Sequence, residues 1–187
     1  MKQAPVLSER DLQKLLISVS KARFSKRNRL MIMLSYLTGM RVGEIAALMI
    51  SDVVTPSGEI REQIHLSKHQ TKGSEACIIY LNKRAQAEIS TYLGACSSDR
   101  SHPLVLSKEN KQFSANSLCQ VFKRIYVNAG FDKATSHSGR RTFCTTLSQK
   151  AVGIRVLSTL MRHKNISTTQ LYIDCNTNIL KDAIELL

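Results

Sequence analysis

The run Met161-Arg162-His163-Lys164-Asn165-Ile166-Ser167-Thr168-Thr169-Gln170-Leu171-Tyr172 follows an earlier element, His137-Ser138-Gly139-Arg140, whose arginine lies 23 residues before His163. Ser167 and Gln170 have the S-x-x-Q spacing of a capping box, in which each side chain satisfies a backbone N–H that the first helical turn leaves free. Ile166 and Leu171 fall at the flanking apolar positions that fix the angle of entry. This spacing predicts a helix entered at Ser167, with Tyr172 in its second turn. Upstream, helical periodicity predicts further helices over residues 84–93, 115–129, 137–150 and 154–162, with Gly130 and Gly153 as stops.

The N-terminal third is also mainly helical. Ser8 is placed to cap the amide of Asp11, and Leu12, Leu15 and Leu16 form the apolar stripe of a first helix. A second helix carries Leu30, Leu34 and Leu37 and stops near Gly39; a third runs from about Arg41 with Ile45, Leu48 and Met49 inward. The period then changes to two. Ile60, Glu62, Ile64 and Leu66 share one face of a predicted strand, and Arg61, Gln63 and His65 the other. Residues 68–73 read as a polar turn, and residues 77–81 as the returning arm of a hairpin. The fold class expected is α+β, mainly α-helical, with a small antiparallel sheet. Residues 176–187 form a tail with Leu180, Ala183, Ile184 and Leu187 at helical spacing, suited to docking on its own core or on a neighbouring subunit.

Charge narrows the partner. Of 187 residues, 27 are Lys or Arg and 14 are Asp or Glu, a formal net charge of +13. Such a surplus is the electrostatic footprint of a polyanion. It is spread along the chain, since residues 101–187 alone hold 12 basic against 5 acidic side chains, which favours an enveloping groove over a basic tail. The longest apolar stretch, residues 30–40, is too short for the roughly 20 residues of a membrane span, and no signal sequence opens the chain. A cytoplasmic, membrane-free location is the expectation. The odd set of five cysteines lacks C-x-x-C spacing and suits packing of reduced thiols.

The polar residues suggest chemistry on a phosphodiester. Its transition state gathers charge on the non-bridging oxygens, and without a metal that charge calls for fixed cationic donors. Arginine meets this need with a planar fork that stays protonated. Arg41 and Arg140 are the candidates, with His163 as a third donor. Tyr172 is the candidate nucleophile. With an unperturbed pKa of about 10 it is only ~0.1% ionised near pH 7, roughly 4 kcal/mol short of full ionisation, so neighbouring cations and a base such as His137 must help. Lys72, at the predicted hairpin tip, is placed to protonate a leaving 5′ oxygen. Taken singly, each of these side chains is more often structural: a tyrosine on an amphipathic helix usually packs, and a turn lysine usually serves solubility. It is the ordered set that carries the reading. His65 and His69 lie on a strand and its turn, the acids Glu44, Asp52 and Glu59 show no paired spacing, and no G-x-x-x-x-G-K loop occurs, so neither a metal, a nucleotide nor another cofactor is expected.

The chain resembles the catalytic domain of the tyrosine recombinases, the phage-integrase family. Thr38-Gly39-Met40-Arg41-Val42-Gly43-Glu44-Ile45 is similar to the family's first arginine box, Gln70-Thr71-Lys72-Gly73 to its lysine hairpin, and His137-x-x-Arg140 to its second box. His163 and Tyr172 stand at the histidine and nucleophile positions. The resemblance implies a helical bundle with a small antiparallel sheet. It also implies a catalytic set of Arg41, Lys72, His137, Arg140, His163 and Tyr172, which forms a 3′-phosphotyrosine and frees a 5′ hydroxyl that a second strand then replaces. Double-stranded DNA is the implied partner, with self-assembly into dimers or tetramers upon it. Residues 1–187 are expected to be a single catalytic domain. The helical DNA-clamping domain that most members carry before it is not expected here, as in short fimbrial-switch inverting enzymes, unless the chain is a piece of a longer integrase.

This sequence departs from the family pattern in three places: Gly139 stands where leucine is usual, Arg162 where glycine is usual, and Ile173-Asp174 follows the tyrosine. Two other readings remain open at this point. A type IB topoisomerase has a similar catalytic set but acts as a monomer, and a catalytically silent DNA-binding accessory or regulatory module would not require the complete set.

Overall fold

The computed structural model describes residues 3–71, 75–94 and 99–172. Lys72 and the amphipathic tail at 176–187 lie outside them. The architecture is built around a helix with no exposed side from Leu30 onward. In α2 (Ser25–Thr38) the consecutive residues Leu30, Met31, Ile32, Met33 and Leu34 are all buried, so this helix must be covered all round. It is flanked by α1 (Glu9–Ser20), α5 (Lys83–Leu93) and α7 (Ser138–Gln149). α3 (Val42–Ala47) packs on α6 (Ala115–Asn128), and α4 (Ile50–Val53) on the first strand. α8 (Ile154–Met161) and α9 (Ile166–Gln170) complete the chain's described part. This is the mainly helical α+β fold that the sequence patterning implies. Among the described residues no helix is long and apolar enough to cross a membrane.

Local chemistry explains most of the boundaries. The Ser8 hydroxyl accepts from the Asp11 amide at 3.1 Å while the Asp11 carboxylate accepts from the Ser8 amide at 2.9 Å, a reciprocal cap at the head of α1. Among the described residues the sheet has two strands, β1 (Gln63–Leu66) and β2 (Cys77–Tyr80), antiparallel with Ile64 opposite Ile79. Ile64, Leu66 and Ile79 face the core. The predicted strand is thus shortened at its start: Ile60 bridges back to Val54, and the Thr55 amide donates to the Glu59 carbonyl at 2.8 Å. A local turn takes up the residues that alternation alone assigns to the strand.

Two hydrophobic clusters result among the described residues. The larger runs from Leu7 through α2, the sheet and α6; the smaller holds Cys144, Leu157 and Met161, with Phe143, Leu147 and Tyr172 packed on it. Gly139 lets the two helices that join them approach closely. A β-carbon there would lie 2.7 Å from Ser35 Oγ and 3.1 Å from Ser35 Cβ on α2, which accounts for the absence of the leucine usual at this position. An alanine at position 139 gains up to ~1 kcal/mol of helix propensity but incurs about 1–3 kcal/mol of overpacking. Gly139→Ala is therefore expected to lower stability by about 1 kcal/mol, and the same change in a Ser35→Gly background to raise it. Urea unfolding of the four proteins of this double-mutant cycle would check the sign reversal.

Candidate active site

Two helix ends converge at the boundary between the clusters. α2 terminates at Gly39, whose φ of 63° and ψ of 24° are left-handed, and α8 terminates at Met161 and Arg162. The last carbonyls of a helix have no intrahelical donor and carry the negative end of its dipole. Arg140, on α7 and 3% exposed, fills this position: Nη1 donates to the Gly39 carbonyl and Nη2 to that of Met161. Burial, with Arg41 and Arg162 nearby, lowers its pKa to about 9, so it remains a cation at neutral pH.

Arg41 approaches from the other side. It caps α3, its amide donating to Glu44 Oε2 at 2.7 Å and its Nη1 to Glu44 Oε1 at 2.7 Å, while Nη2 donates to the Arg162 carbonyl at 2.9 Å. Arg162 itself is left-handed, with φ 54° and ψ 46°, the conformation that explains why glycine is usual there. Its Nη2 reaches Gly39 O at 3.0 Å and Glu44 Oε2 at 2.9 Å, and its Nη1 reaches Leu160 O at 2.8 Å. Glu44 is 2% exposed. Burial pushes its carboxyl pKa up, but Arg162 and the amide and side chain of Arg41 outweigh that and hold it below the ordinary value, so it is ionised. Among the described residues, three guanidiniums against one carboxylate leave this cluster with two uncompensated positive charges.

His163 and Tyr172 border the arginines. His163 Nδ1 lies 2.9 Å from the hydroxyl of Thr169, a fully buried residue of α9. Burial, then Arg140, Arg41 and Arg162, press the His163 pKa down to about 4, so the ring is neutral at pH 7. The rings of His163 and Tyr172 stack with centroids 5.7 Å apart and planes 21° from parallel. Arg141 sits over the tyrosine ring at 5.9 Å and donates to the Ala4 carbonyl at 2.8 Å. The Thr145 hydroxyl donates to the backbone carbonyl of Tyr172 at 3.3 Å. Beside this cluster opens a cavity of about 510 Å³ bordered by Arg41, Arg162, His163, Lys164 and Cys77.

Arg41, Arg140, His163 and Tyr172 are therefore brought together from four separate elements. His137 is exposed at the N-cap of α7, three positions before Arg140 on the same helix. Lys72 lies outside the described residues. The predicted entry to the tyrosine helix is displaced by the chemistry of Asn165, whose side chain accepts from the Ser167 amide at 2.9 Å and starts α9 at Ile166. The helix ends at Gln170, so Tyr172 stands in the turn just beyond it, its amide donating to Thr169 O at 2.9 Å. Glu44, Thr169 and Arg141 are site residues that the sequence reading does not single out. Glu44 has a legible signal, an acid three residues after the residue that opens a helix; Thr169 and Arg141 have none. Among the described residues no three His, Cys, Asp or Glu side chains gather as a metal site requires.

The histidine makes stability depend on pH with a definite sign. Its pKa is about 4 when folded against ~6.5 when unfolded, so the unfolded chain binds the proton first as pH falls. Its contribution is complete above pH ~6.5 and is lost as the pH falls toward 4. Between pH 6.5 and 5, above the main range of carboxylate titration, stability measured in urea is expected to decline in the wild type, with a shallower slope in His163→Gln. For Glu44→Ala, which strands the Arg41 and Arg162 guanidiniums, a loss of about 3 kcal/mol is expected in the same measurement at pH 7.

Comparisons with known proteins identify the family and the fold. The model of the phage integrase family matches residues 5–178. The tyrosine recombinase XerA of Pyrococcus furiosus is 30% identical over 181 residues, 96% of this chain and 60% of that protein. The tyrosine recombinase XerD of Corynebacterium glutamicum is 31% identical over 162 residues, 84% of this chain and 51% of that protein. The chain thus spans about half to three-fifths of these relatives. Among solved structures, XerA recombinase superposes with a TM-score of 0.75 at 23% identity, over 98% of this chain and 66% of that one. XerH recombinase in a post-cleavage complex with its palindromic difH substrate gives 0.71 at 23% identity, over 98% of this chain and 53% of that one. These structures share the fold described above.

Proposed function

The chain belongs to the phage integrase family, and we propose that it is the catalytic part of a site-specific DNA recombinase that cleaves and rejoins strands through a 3′-phosphotyrosine on Tyr172. One observation carries the reading. Three guanidiniums and one carboxylate meet beside a tyrosine and a neutral histidine, so the cluster has two positive charges to offer an anion. A phosphodiester brings one negative charge and approaches a second as the attacking oxygen adds. The relatives' names, tyrosine recombinase, and the DNA complex of XerH support the same direction.

In this mechanism the Tyr172 oxygen attacks the phosphorus, the bond from phosphorus to the 5′ oxygen breaks, and the phosphate remains on the enzyme through the DNA 3′ end. The phenol proton passes to a base, a role assigned to His137. Lys72 protonates the departing 5′ oxygen. Attack by another strand's 5′ hydroxyl reverses each bond change and restores free Tyr172, with no ATP, metal or other cofactor consumed. Arg41 and Arg140 hold the non-bridging oxygens. Because backbone carbonyls and Glu44 fix these arginines, little reorganisation accompanies the developing charge.

The role of His163 follows from its partner. The buried Thr169 hydroxyl needs an acceptor for its proton, and His163 Nδ1 at 2.9 Å provides one. That selects the tautomer with hydrogen on Nε2, a neutral donor for a phosphate oxygen. Double-stranded DNA is the substrate in this reading. Residues 1–187 act as one catalytic domain, assembly on DNA is dimeric or tetrameric, and residues 176–187 are the docking tail. The protein works in the cytoplasm on nucleoid DNA.

Incubation with nicked DNA carrying candidate sites, followed by denaturing electrophoresis, tests the proposal. Wild type is expected to yield a covalent adduct at a 3′ end, and Tyr172→Phe none, with DNA binding nearly unchanged; an undiminished adduct in that variant would sink the assignment. Arg41→Ala is expected to slow adduct formation by roughly 10², as for loss of one preorganised donor. Strand exchange between two sites, rather than relaxation of supercoiled DNA by a monomer, separates a recombinase from a type IB topoisomerase.

A further inference from the structure

We infer that Arg162 is a positioning residue for the phosphate clamp, its guanidinium holding Arg41 and Arg140 in place through the acceptors they share. The inference rests on the recombinase reading for its consequence in DNA cleavage, but its geometry is read from this chain, in which arginine stands where glycine is usual.

An ordinary surface arginine has none of the features seen here. Arg162 adopts φ 54°, a left-handed conformation that disfavours any side chain. Its side chain is only 10% exposed, and its Nε is buried without a hydrogen-bond partner. Both features are unfavourable, and water would relieve the second. The side chain is instead drawn inward by three acceptors: Leu160 O at 2.8 Å, Gly39 O at 3.0 Å and Glu44 Oε2 at 2.9 Å.

The identity of those acceptors defines the role. Gly39 O is also held by Arg140 Nη1, and Glu44 is also held by Arg41. Arg162 therefore contacts one anchor of each clamp arginine, and its own carbonyl accepts from Arg41 Nη2 at 2.9 Å. Its charge matters too. With Arg162 removed, Arg41 is the ion-pair partner that Glu44 keeps among the described residues, and the excess charge of these four side chains falls from two to one. Arg162 engages the second carboxylate oxygen and so limits how far Glu44 draws Arg41 away from an incoming phosphate. It is also one of three cations that keep His163 neutral.

Arg162→Gly separates side chain from backbone, because glycine keeps the left-handed turn and the carbonyl that Arg41 uses. Arg162→Lys keeps the charge but cannot span Gly39 O and Glu44 with a planar fork. In the DNA-free protein followed by NMR, hydrogen exchange at the guanidiniums of Arg41 and Arg140 is expected to quicken at least about ten-fold in Arg162→Gly. The His163 titration midpoint is expected to rise in the glycine variant and to stay low in the lysine variant. On nicked DNA, adduct formation by the glycine variant is expected to slow by about ten-fold or more with less than about a two-fold change in DNA affinity, and lysine to restore part of the rate. Unchanged guanidinium exchange together with an unmoved His163 midpoint overturns the assignment, as does a glycine variant that cleaves at the wild-type rate or faster. If wild type itself forms no adduct, the recombinase reading fails, and the two DNA-free measurements still decide the place of Arg162.

Discussion

A buried arginine set between two helix ends is the constraint on which the rest of the structure depends. Arg140 gives its two terminal nitrogens to carbonyls at the ends of α2 and α8, positions 39 and 161. Those carbonyls lie at helix ends, where no intrahelical donor reaches them. The arrangement compensates the burial of the cation at the point where the dipoles of two helices favour positive charge. It also sets the mutual placement of α2, α7 and α8, because a single planar group spans all three.

The neighbouring polar groups follow from that junction. The left-handed turn at Gly39 frees the carbonyl that Arg140 and Arg162 share and leads directly into Arg41, the cap of α3. Glu44, three residues on, returns to Arg41 and reaches Arg162 as well. Fold and chemistry thus use the same bonds: the contacts that close the boundary between two hydrophobic clusters also aim cationic donors at one spot. A surplus of positive charge in such a place destabilises the empty site and favours an anion. Neutral His163 adds a donor without adding to that repulsion, since the cations around it help to keep its proton off.

Much of this is legible in the chain before folding. The apolar spacing of α1 and α6, the Ser8 cap, the hairpin and the glycine stop after α2 are local patterns set by backbone geometry and hydrogen bonding over a few residues. Arg41, Arg140, His163 and Tyr172 are recognisable because their types and order suit phosphodiester chemistry. Less legible are features in which two local signals compete. Asn165 and Ser167 can both cap α9, and the asparagine does so, leaving Tyr172 in a turn beyond the helix. Ile60 fits the alternation of β1 yet pairs with Val54.

Helical content, the location of the two-stranded sheet, basic character and the candidate chemical groups can all be read from the unfolded chain, because each depends on composition or on neighbours a few positions apart. Only the assembled fold brings Gly139 against Ser35, the Thr169 hydroxyl to His163 Nδ1, and Arg162 inward to Glu44 and Gly39. Those contacts join residues 6 to 123 positions apart. No local periodicity encodes them, because they arise only when separate helix ends meet and leave backbone carbonyls to be satisfied.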